Sequence, residues 1–189
     1  MMPLLRFDAV TLARGGRLLF EGLDVTLGPG EALHVIGPNG SGKSSLLRLA
    51  AGLLRAAAGR VERTGVALSD DALALDRELP LRKALQFWAM LAGASVKLDP
   101  VMEAMGLADL ADVPVRLLSS GQAKRATLTR VAASAARLWL LDEPLNGLDG
   151  DGVERLDALI ARHRAAGGAV VAASHGALGG DWARLELGQ

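Results

Sequence analysis

The feature that most constrains this chain is a glycine-rich loop that lies between an apolar run and an amphipathic segment. The apolar run is Ala32–Ile36, and its length and composition predict a buried strand. Residues 37–44 follow, read GPNGSGKS and match the pattern G-x-x-x-x-G-K-[ST]. Apolar residues then recur at helical spacing, at Leu46, Leu47, Ala50, Leu53 and Leu54. The sequence therefore predicts a strand, this loop and a helix, in that order.

The loop has the composition of a phosphate-binding site. Glycine backbones let several N–H groups converge on one anion, and the start of a helix adds unpaired N–H groups and a positive dipole end. Lys43 is predicted to reach the β- and γ-phosphates, the Ser44 hydroxyl to bind Mg²⁺, and Ser45 to make a weaker phosphate contact. The predicted nucleotide site comprises Gly37, Pro38, Asn39, Gly40, Ser41, Gly42, Lys43, Ser44 and Ser45.

A second apolar run, residues 137–141, ends in Asp142 and Glu143. Ligands collect at the carboxyl ends of buried parallel strands. Together with a phosphate loop, this pattern predicts that Asp142 holds Mg²⁺, directly or through water. Glu143 is predicted to polarise a water in line with the γ-phosphate. The structural alternative is a strand that runs into an acidic turn.

A third apolar run, residues 169–173, leads to Ser174 and His175. An imidazole at the end of such a strand can contact the γ-phosphate, so His175 is a candidate catalytic residue. The other two histidines have different settings. His34 lies within the first buried strand and is predicted to pack in the core, whereas His163 is predicted to lie on a solvated helix face.

Residues 118–122 read LSSGQ and precede a helix predicted over 123–136. Serines before a helix are ordinary N-caps. The alternative is a second anion site, because hydroxyls, a glycine amide and a helix N-terminus together suit a phosphate. The residues alone leave both interpretations open.

The remainder of the chain predicts an α/β fold. Period-two patterns predict strands near residues 4–12 and 23–27, and further strands are predicted at 59–63 and 66–68. Helices are predicted at 81–91, 100–105 and 107–110, so residues 76–117 form a candidate helical subdomain inserted into the core. Phe87, Trp88 and Met90 within it either pack in the core or form a docking surface for a partner.

Composition excludes several classes of protein. The 189 residues carry a formal net charge of zero, which gives no electrostatic footprint for nucleic acid. Cysteine is absent, which excludes disulfides and thiol nucleophiles. No apolar stretch is long enough to span a bilayer. We therefore expect a soluble protein of a reducing compartment, with no nucleic-acid partner and no direct insertion into the membrane.

Taken together, these motifs resemble those of ABC-type ATPase subunits over nearly the whole chain. In the order of that family they are GPNGSGKSS as Walker A, LSSGQ as the signature, LWLLDEP as Walker B, LNGLD as the D-loop, and His175 as the switch histidine. The resemblance implies a P-loop NTPase fold, in which a RecA-like core carries an antiparallel β subdomain and an inserted helical subdomain. Residues 1–189 would form a single ABC ATPase domain that hydrolyses ATP with Mg²⁺.

The resemblance also implies partners. In this family the signature of one subunit closes over ATP held by another, so Ser119, Ser120, Gly121 and Gln122 would cap the γ-phosphate in a partner's site. Asp149 would lie at that interface. The working unit would be a head-to-tail homodimer bound to integral membrane permease subunits, peripheral at the cytoplasmic face of the inner membrane.

A closer resemblance is to the ATP-binding subunits of the haem exporters used in cytochrome c maturation. It rests on RGGRLLFEGL, GPNGSGKSSLLRLAAGLLR, LSSGQAKRATLTRV, LWLLDEPLNGLD and VVAASH. The function implied is ATP hydrolysis that powers haem export or the release of haem from a chaperone. The alternatives are an ATP-switched regulatory module without transport, and an ATPase subunit that serves a transporter for another solute.

The chain departs from the family pattern at two places. Most ABC ATPases stack an aromatic residue on adenine before the first glycine turn, whereas this chain has Arg14, whose guanidinium can also stack on a base. The glutamine of the Q-loop is absent from LSDDALALD, residues 68–76. Asp70 or Asp71 is a possible oxygen ligand in its place.

Overall fold

The computed structural model describes residues 2–70, 72–93 and 98–188. The strands are β1 (Leu5–Arg14), β2 (Arg17–Leu27), β3 (Ala32–Ile36), β4 (Ala58–Arg63), β5 (Val66–Ser69), β6 (Leu138–Asp142), β7 (Ala169–Ala173) and β8 (Ala183–Glu186). The helices are α1 (Lys43–Ala50), α2 (Leu81–Leu91), α3 (Leu98–Ala104), α4 (Ser120–Ala132) and α5 (Gly150–Ala165), with 3₁₀ turns at Ala108–Leu110 and Val115–Leu117.

Five strands form a parallel sheet in the order β5-β6-β7-β3-β8. β6 and β7 are buried along their whole length, and β3 is buried at four of its five residues. Parallel strands covered on both faces read as continuous apolar runs, which is why the sequence predicts these three. Their carboxyl ends bring the phosphate loop, Glu143 and His175 to one edge of the sheet.

The first part of the chain forms an antiparallel sheet in the order β2-β1-β4. A tight turn at Gly15 and Gly16, both with positive φ, joins β1 to β2. Leu5, Phe7 and Val10 of β1 are buried in the same apolar cluster as α1 and one face of the parallel sheet. This packing fixes the antiparallel sheet beside the phosphate loop.

The segment between β5 and α4 is helical and contributes to a second apolar cluster, which also includes residues of α4, α5, β6 and β7. α3 ends at Ala104, and Gly106 follows with a φ of 63°. The helix predicted at 107–110 is a single 3₁₀ turn, Ala108–Leu110. Because this segment shares its core with α4, the division of the chain at 76–117 stays a prediction.

Two differences from the sequence prediction concern edge strands. β2 begins at Arg17, six residues before its predicted start, because its exposed first half lacks the apolar alternation that marks a strand. β8 is not predicted, since three of its four residues are exposed. It pairs with β3, and the Leu187 N–H donates to the Ile36 carbonyl at 2.9 Å. β8 therefore lies against the strand that leads into the phosphate loop.

Helix length and hydropathy also bear on membrane insertion. Within the described ranges, no helix is both long and apolar enough to cross a bilayer.

Candidate active site

The phosphate loop joins β3 to α1, and three of its glycines take backbone conformations that L side chains rarely adopt. The φ angles are 145° at Gly37, 78° at Gly40 and 106° at Gly42, which is the N-cap of α1. A Cβ atom at Gly37 would collide with the Leu187 carbonyl oxygen. The loop therefore depends on glycine for its path as well as for its open anion-binding face.

Lys43 is the first residue of α1, and its side chain folds back over the loop. Its ammonium group donates to the carbonyl oxygens of Gly37 at 2.8 Å and Pro38 at 3.2 Å. The side chain of Ser41 nearby has a buried Oγ without a hydrogen-bond partner among the described residues. A fixed cation, an unused hydroxyl and the helix start are the groups that a phosphate needs, so these residues fit a nucleotide.

Four side chains from three different segments meet at the edge of the parallel sheet. His175 Nε2 lies 2.8 Å from Asn39 Oδ1, 3.2 Å from Lys43 Nζ and 3.6 Å from Glu143 Oε1. A single ring nitrogen cannot donate to Asn39 and accept from Lys43 at once. The tautomer with a hydrogen on Nε2 donates to Asn39, whereas the other tautomer accepts from Lys43. This ring nitrogen can therefore act as donor or as acceptor without moving.

The two acids at the carboxyl end of β6 are held differently. Asp142 is the last residue of the strand and is 7% exposed, and its carbonyl oxygen accepts from Lys124 Nζ at 3.4 Å. Glu143 has a φ of 43°, a conformation that costs free energy for a residue other than glycine. Its N–H donates to the Ala173 carbonyl at 2.8 Å, so the end of β7 supports this backbone.

A cavity of about 380 Å³ opens beside these groups. It is lined by Arg14, Leu19, Asn39, Gly40, Gly42, Lys43, Ser44, Ser45 and Glu143. The structure therefore brings much of the predicted phosphate loop together with Arg14 and Glu143. Leu19 is the lining residue that the sequence analysis missed, since a leucine in an exposed strand gives no signal of a binding site.

The predicted signature residues are not among those that line this cavity. Ser119 is the N-cap of α4: its Oγ accepts from the Gln122 N–H at 3.3 Å, and the Gln122 side chain accepts from the Ser119 N–H at 2.9 Å. This reciprocal pair is a capping box, the simpler of the two interpretations. Ser119 and Ser120 are nevertheless exposed at the start of the helix, so the anion-site interpretation stays a prediction.

Asp149 also caps a helix. Its Oδ1 accepts from the Gly152 N–H at 2.8 Å at the start of α5, and the residue is exposed.

A second cavity, of about 300 Å³, lies between α4 and the loop that follows Glu143. It is lined by Asp70, Leu73, Ser120, Ala123, Lys124, Thr127, Asn146 and Gly147.

Asp70 lies at the position where the sequence lacks a glutamine. Its carboxylate is 3.9 Å from an Arg48 guanidinium nitrogen and accepts from the Ala72 N–H at 3.1 Å. Asp71, the other candidate ligand, lies outside the described residues. Asp70 is therefore engaged with the last turn of α1, and its predicted role at a metal ion stays a prediction.

The structure corrects the interpretation of His163. The predicted solvated position is wrong, because the ring stacks on Trp139 with centroids 3.7 Å apart and planes 11° from parallel. Its Nε2 lies 3.2 Å from the Arg137 carbonyl oxygen, and burial lowers the pKa of His163. By contrast, His34 is buried at 8% exposure, as predicted.

Of the three large apolar residues of α2, one packs in the core and two are exposed. Trp88 packs against the core cluster, and its Nε1–H donates to the Ala74 carbonyl at 2.6 Å. Phe87 and Met90 are 58% and 80% exposed. The packing interpretation therefore holds for Trp88, whereas Phe87 and Met90 lie on an exposed apolar face.

The fold and the site together define a class of protein. The family model described as ABC transporter matches residues 20–146, which contain the phosphate loop, the start of α4 and the acids at the carboxyl end of β6. The chain belongs to the ABC transporter family, as one of its nucleotide-binding ATPase subunits.

Curated relatives narrow this class. The cytochrome c biogenesis ATP-binding export protein CcmA of Sphingopyxis alaskensis is 59% identical over 94% of this chain and 93% of its own length. The protein of that name from Novosphingobium aromaticivorans is 57% identical over 88% and 85%. The one from Zymomonas mobilis is 51% identical over 94% and 81%. Within its family, this chain groups with the CcmA proteins.

Solved structures show the fold. An ATP-binding ABC transporter protein from Pyrococcus furiosus superposes with a TM-score of 0.84, covering 97% of this chain and 96% of that one at 20% identity. An ATP-binding subunit of an ABC transporter gives 0.84 over 91% and 79% at 22% identity. The predicted α/β P-loop NTPase fold, with its antiparallel and parallel sheets, is confirmed.

Proposed function

We propose that this subunit hydrolyses ATP at the edge where β3, β6 and β7 end, and that hydrolysis drives haem export, or haem release from a chaperone, in cytochrome c maturation. The observation that carries the catalytic part is the convergence of Lys43, Asn39 and Glu143 on His175 Nε2 within 3.6 Å. A cation, a carboxylate and an imidazole at one partly exposed point are the groups that phosphoryl transfer to water uses.

The triphosphate is held by the loop and by Lys43. The ammonium group exchanges the Gly37 and Pro38 carbonyls for phosphate oxygens, and the N–H groups at the start of α1 bind the remaining negative charge. Ser41 supplies a buried hydroxyl that has no hydrogen-bond partner in the part of the chain that the structure describes. These exchanges replace contacts between the ammonium and neutral carbonyl groups by ion pairs with phosphate oxygens, which favours binding of the charged ligand.

Ser44 and Asp142 are the residues that would hold Mg²⁺. Within the parts of the chain that the structure describes, no group of three or more His, Asp or Glu side chains could hold a metal ion. A hydroxyl and one carboxylate suit Mg²⁺, which keeps waters and takes phosphate oxygens as further ligands. When bound, the ion neutralises charge on the phosphates.

Glu143 and His175 perform the chemical step. The Glu143 carboxylate accepts a proton from the attacking water, and its constrained backbone keeps it aimed at the phosphate edge. His175 donates from Nε2 to the γ-phosphate once Lys43 has turned to the nucleotide. Arg14 and Leu19 line the cavity from the antiparallel sheet, and we assign them to contact with the adenine base.

The partner's share of the site comes from α4. The exposed start of that helix, Ser119 to Gln122, closes over the γ-phosphate of a second copy, and Asp149 lies at the same interface. Two chains related head to tail would thus complete two sites. The positive dipole end of α4 and the exposure of Ser119 and Ser120 beside it support this assignment.

The export step needs membrane-embedded partners. The name of the curated relatives refers to export and to cytochrome c biogenesis. This chain has no cysteine and so has no C-x-x-C-H motif for haem attachment. We therefore assign recognition of haem to integral membrane permease subunits. This subunit acts on them from the cytoplasmic face of the inner membrane, as a peripheral protein.

The catalytic assignment is tested with Glu143→Gln. The amide keeps the size and hydrogen bonds of the side chain but accepts a proton poorly, so turnover should fall by roughly 10²-fold or more while MgATP affinity changes little. Phosphate release and nucleotide binding by fluorescence measure the two quantities. Wild-type turnover in this variant would remove Glu143 from the role of base.

The export assignment is tested by purification of tagged Glu143→Gln from gently solubilised membranes with MgATP. Retention of cytochrome c maturation permease subunits with ATP, and their loss with ADP, supports the proposal. Retention of permease subunits for another solute would refute the haem part.

A second candidate is a regulatory module that is switched by ATP and transports nothing. It is favoured by the absence of a glutamine from residues 68–76, where the resemblance to the family places the residue used for coupling. The ion pair with Arg48 engages Asp70, one of the two residues considered as its replacement. The same rate of ATP hydrolysis in vesicles with and without permease subunits would favour this module.

A further inference from the structure

His34 makes a buried hydrogen bond to the residue that precedes His175. It lies in β3, and its Nε2 is 3.0 Å from the Ser174 carbonyl oxygen. His34 is 8% exposed and Ser174 only 1%. A carbonyl oxygen can only accept, so Nε2 carries the hydrogen and His34 is the donor.

Other hydrogen bonds also fix the end of β7. The Ala173 carbonyl accepts from the Glu143 N–H at 2.8 Å, and Ser174 Oγ accepts from the Gly176 N–H at 3.0 Å. The Ser174 carbonyl lies between these two anchors. The bond from His34 therefore acts on a turn that holds Glu143 on one side and His175 on the other.

The parallel sheet prevents His34 from drifting. Its backbone is in register with Ala172 of β7 and Arg184 of β8, and its ring meets Trp182 edge-on with centroids 6.3 Å apart. Strand pairing on both sides fixes the backbone from which the His34 ring projects. The carbonyl before His175 is thus fixed from β3, the strand that also leads into the phosphate loop.

We infer that His34 is a positioning residue for the ATPase reaction, which orients His175 toward the γ-phosphate through its hydrogen bond to the Ser174 carbonyl. The inference rests on the proposed role of His175. It goes further by assigning a function to a histidine that packing alone would explain. It also links β3, the strand that leads into the phosphate loop, to His175 at the end of β7.

The test compares His34→Met, which has similar length and no donor, with His34→Gln, whose amide N–H reaches about as far as Nε2. Loss of one positioning hydrogen bond should lower kcat by roughly three- to tenfold in His34→Met and leave KM for ATP within about twofold. His34→Gln should recover most of the loss. Equal losses in both variants would overturn the inference.

A double-mutant cycle separates positioning from general destabilisation. Adding His34→Met to His175→Ala should lower kcat no further, because the group that His34 orients is already gone. Fully additive losses would show that His34 acts elsewhere. Thermal unfolding of each variant identifies losses of kcat that arise only from unfolding at the assay temperature.

A spectroscopic readout keeps the inference apart from the catalytic proposal. The ring Hε1 proton resonance of His175, assigned by its loss in His175→Ala, should shift or broaden in His34→Met and stay in place in His34→Gln. An unmoved resonance in His34→Met would overturn the inference even if His175 proves catalytic. A moved resonance with full turnover in His175→Ala would instead overturn the proposed role of His175.

Discussion

His163 is a residue whose surroundings make folding stability depend on pH. Burial lowers its pKa below the ordinary value of 6.5. Near pH 6.5 the unfolded chain therefore binds a proton that the folded chain does not, so the free energy of unfolding should fall as pH drops through 6.5 toward the folded pKa. Urea unfolding at pH 7.5 and pH 5.5 measures the difference.

The control is His163→Phe, which keeps a ring on Trp139 and cannot titrate. Other groups titrate in this range too, so the quantity to compare is the drop in stability between the two pH values. A smaller drop in His163→Phe is expected. An unchanged drop would show that His163 does not cause it.

Single residues also show where sequence reasoning succeeds and where it stops. The convergence of Lys43, Glu143 and His175 at one edge follows from their motifs, because each motif comes directly after a buried parallel strand, and their roles in catalysis stay a prediction. The position of His163 does not, since Arg162 and Arg164 beside it suggest a solvated helix end. Gly168 decides its position: a Cβ atom there would collide with the His163 ring.

At the scale of elements, α4 ties the parallel sheet to the helical segment. Arg130 donates to the Leu68 carbonyl of β5 at 2.8 Å, and its guanidinium lies 5.0 Å from the ring centroid of Trp88 in α2. Burial lowers the pKa of Arg130, and the charge of Asp70 partly opposes this effect. One side chain thus joins three elements.

Arg130→Met should therefore destabilise the fold by about 1–3 kcal/mol, because the variant loses a charged hydrogen bond and a cation–π contact. Urea unfolding measures the change. The matched control is Arg116→Met, whose ion pair with Glu78 is exposed and should contribute less than about 1 kcal/mol. Equal effects of the two substitutions would contradict the role given to Arg130.

Elements differ in how far the sequence predicts them. β3, β6 and β7 are continuous apolar runs, since both of their faces are covered, and their positions follow directly from the sequence. β8 is short and exposed, and its place depends on pairing with β3, about 150 residues earlier in the chain. Long-range pairing of a polar edge strand leaves no local pattern.

For the whole molecule, the proposed head-to-tail arrangement predicts a change of mass with nucleotide. Glu143→Gln with MgATP should elute near twice 19.6 kDa, because bound ATP persists and joins the exposed start of α4 to a second chain. Light scattering after size-exclusion chromatography measures the mass. Lys43→Ala in the same background should stay at the monomer mass.

A monomer mass for Glu143→Gln at saturating MgATP would contradict the arrangement. The sequence implies this assembly only by family resemblance, because the signature residues Ser119 and Gln122 satisfy each other within one chain. Their contacts in a single copy give no sign of a second one. Assembly is thus the scale at which sequence and monomer structure constrain the molecule least.

The pairing of β8 with β3, the strand that leads into the phosphate loop, has a consequence for synthesis. Residues 37–44 leave the ribosome early, but the strand that backs them, β8, comes about 140 residues later. At roughly 5–20 residues per second this delay is on the order of ten seconds. A nascent chain therefore carries the complete motif long before it carries β8, so the strand that precedes the loop gains its edge partner only late in synthesis.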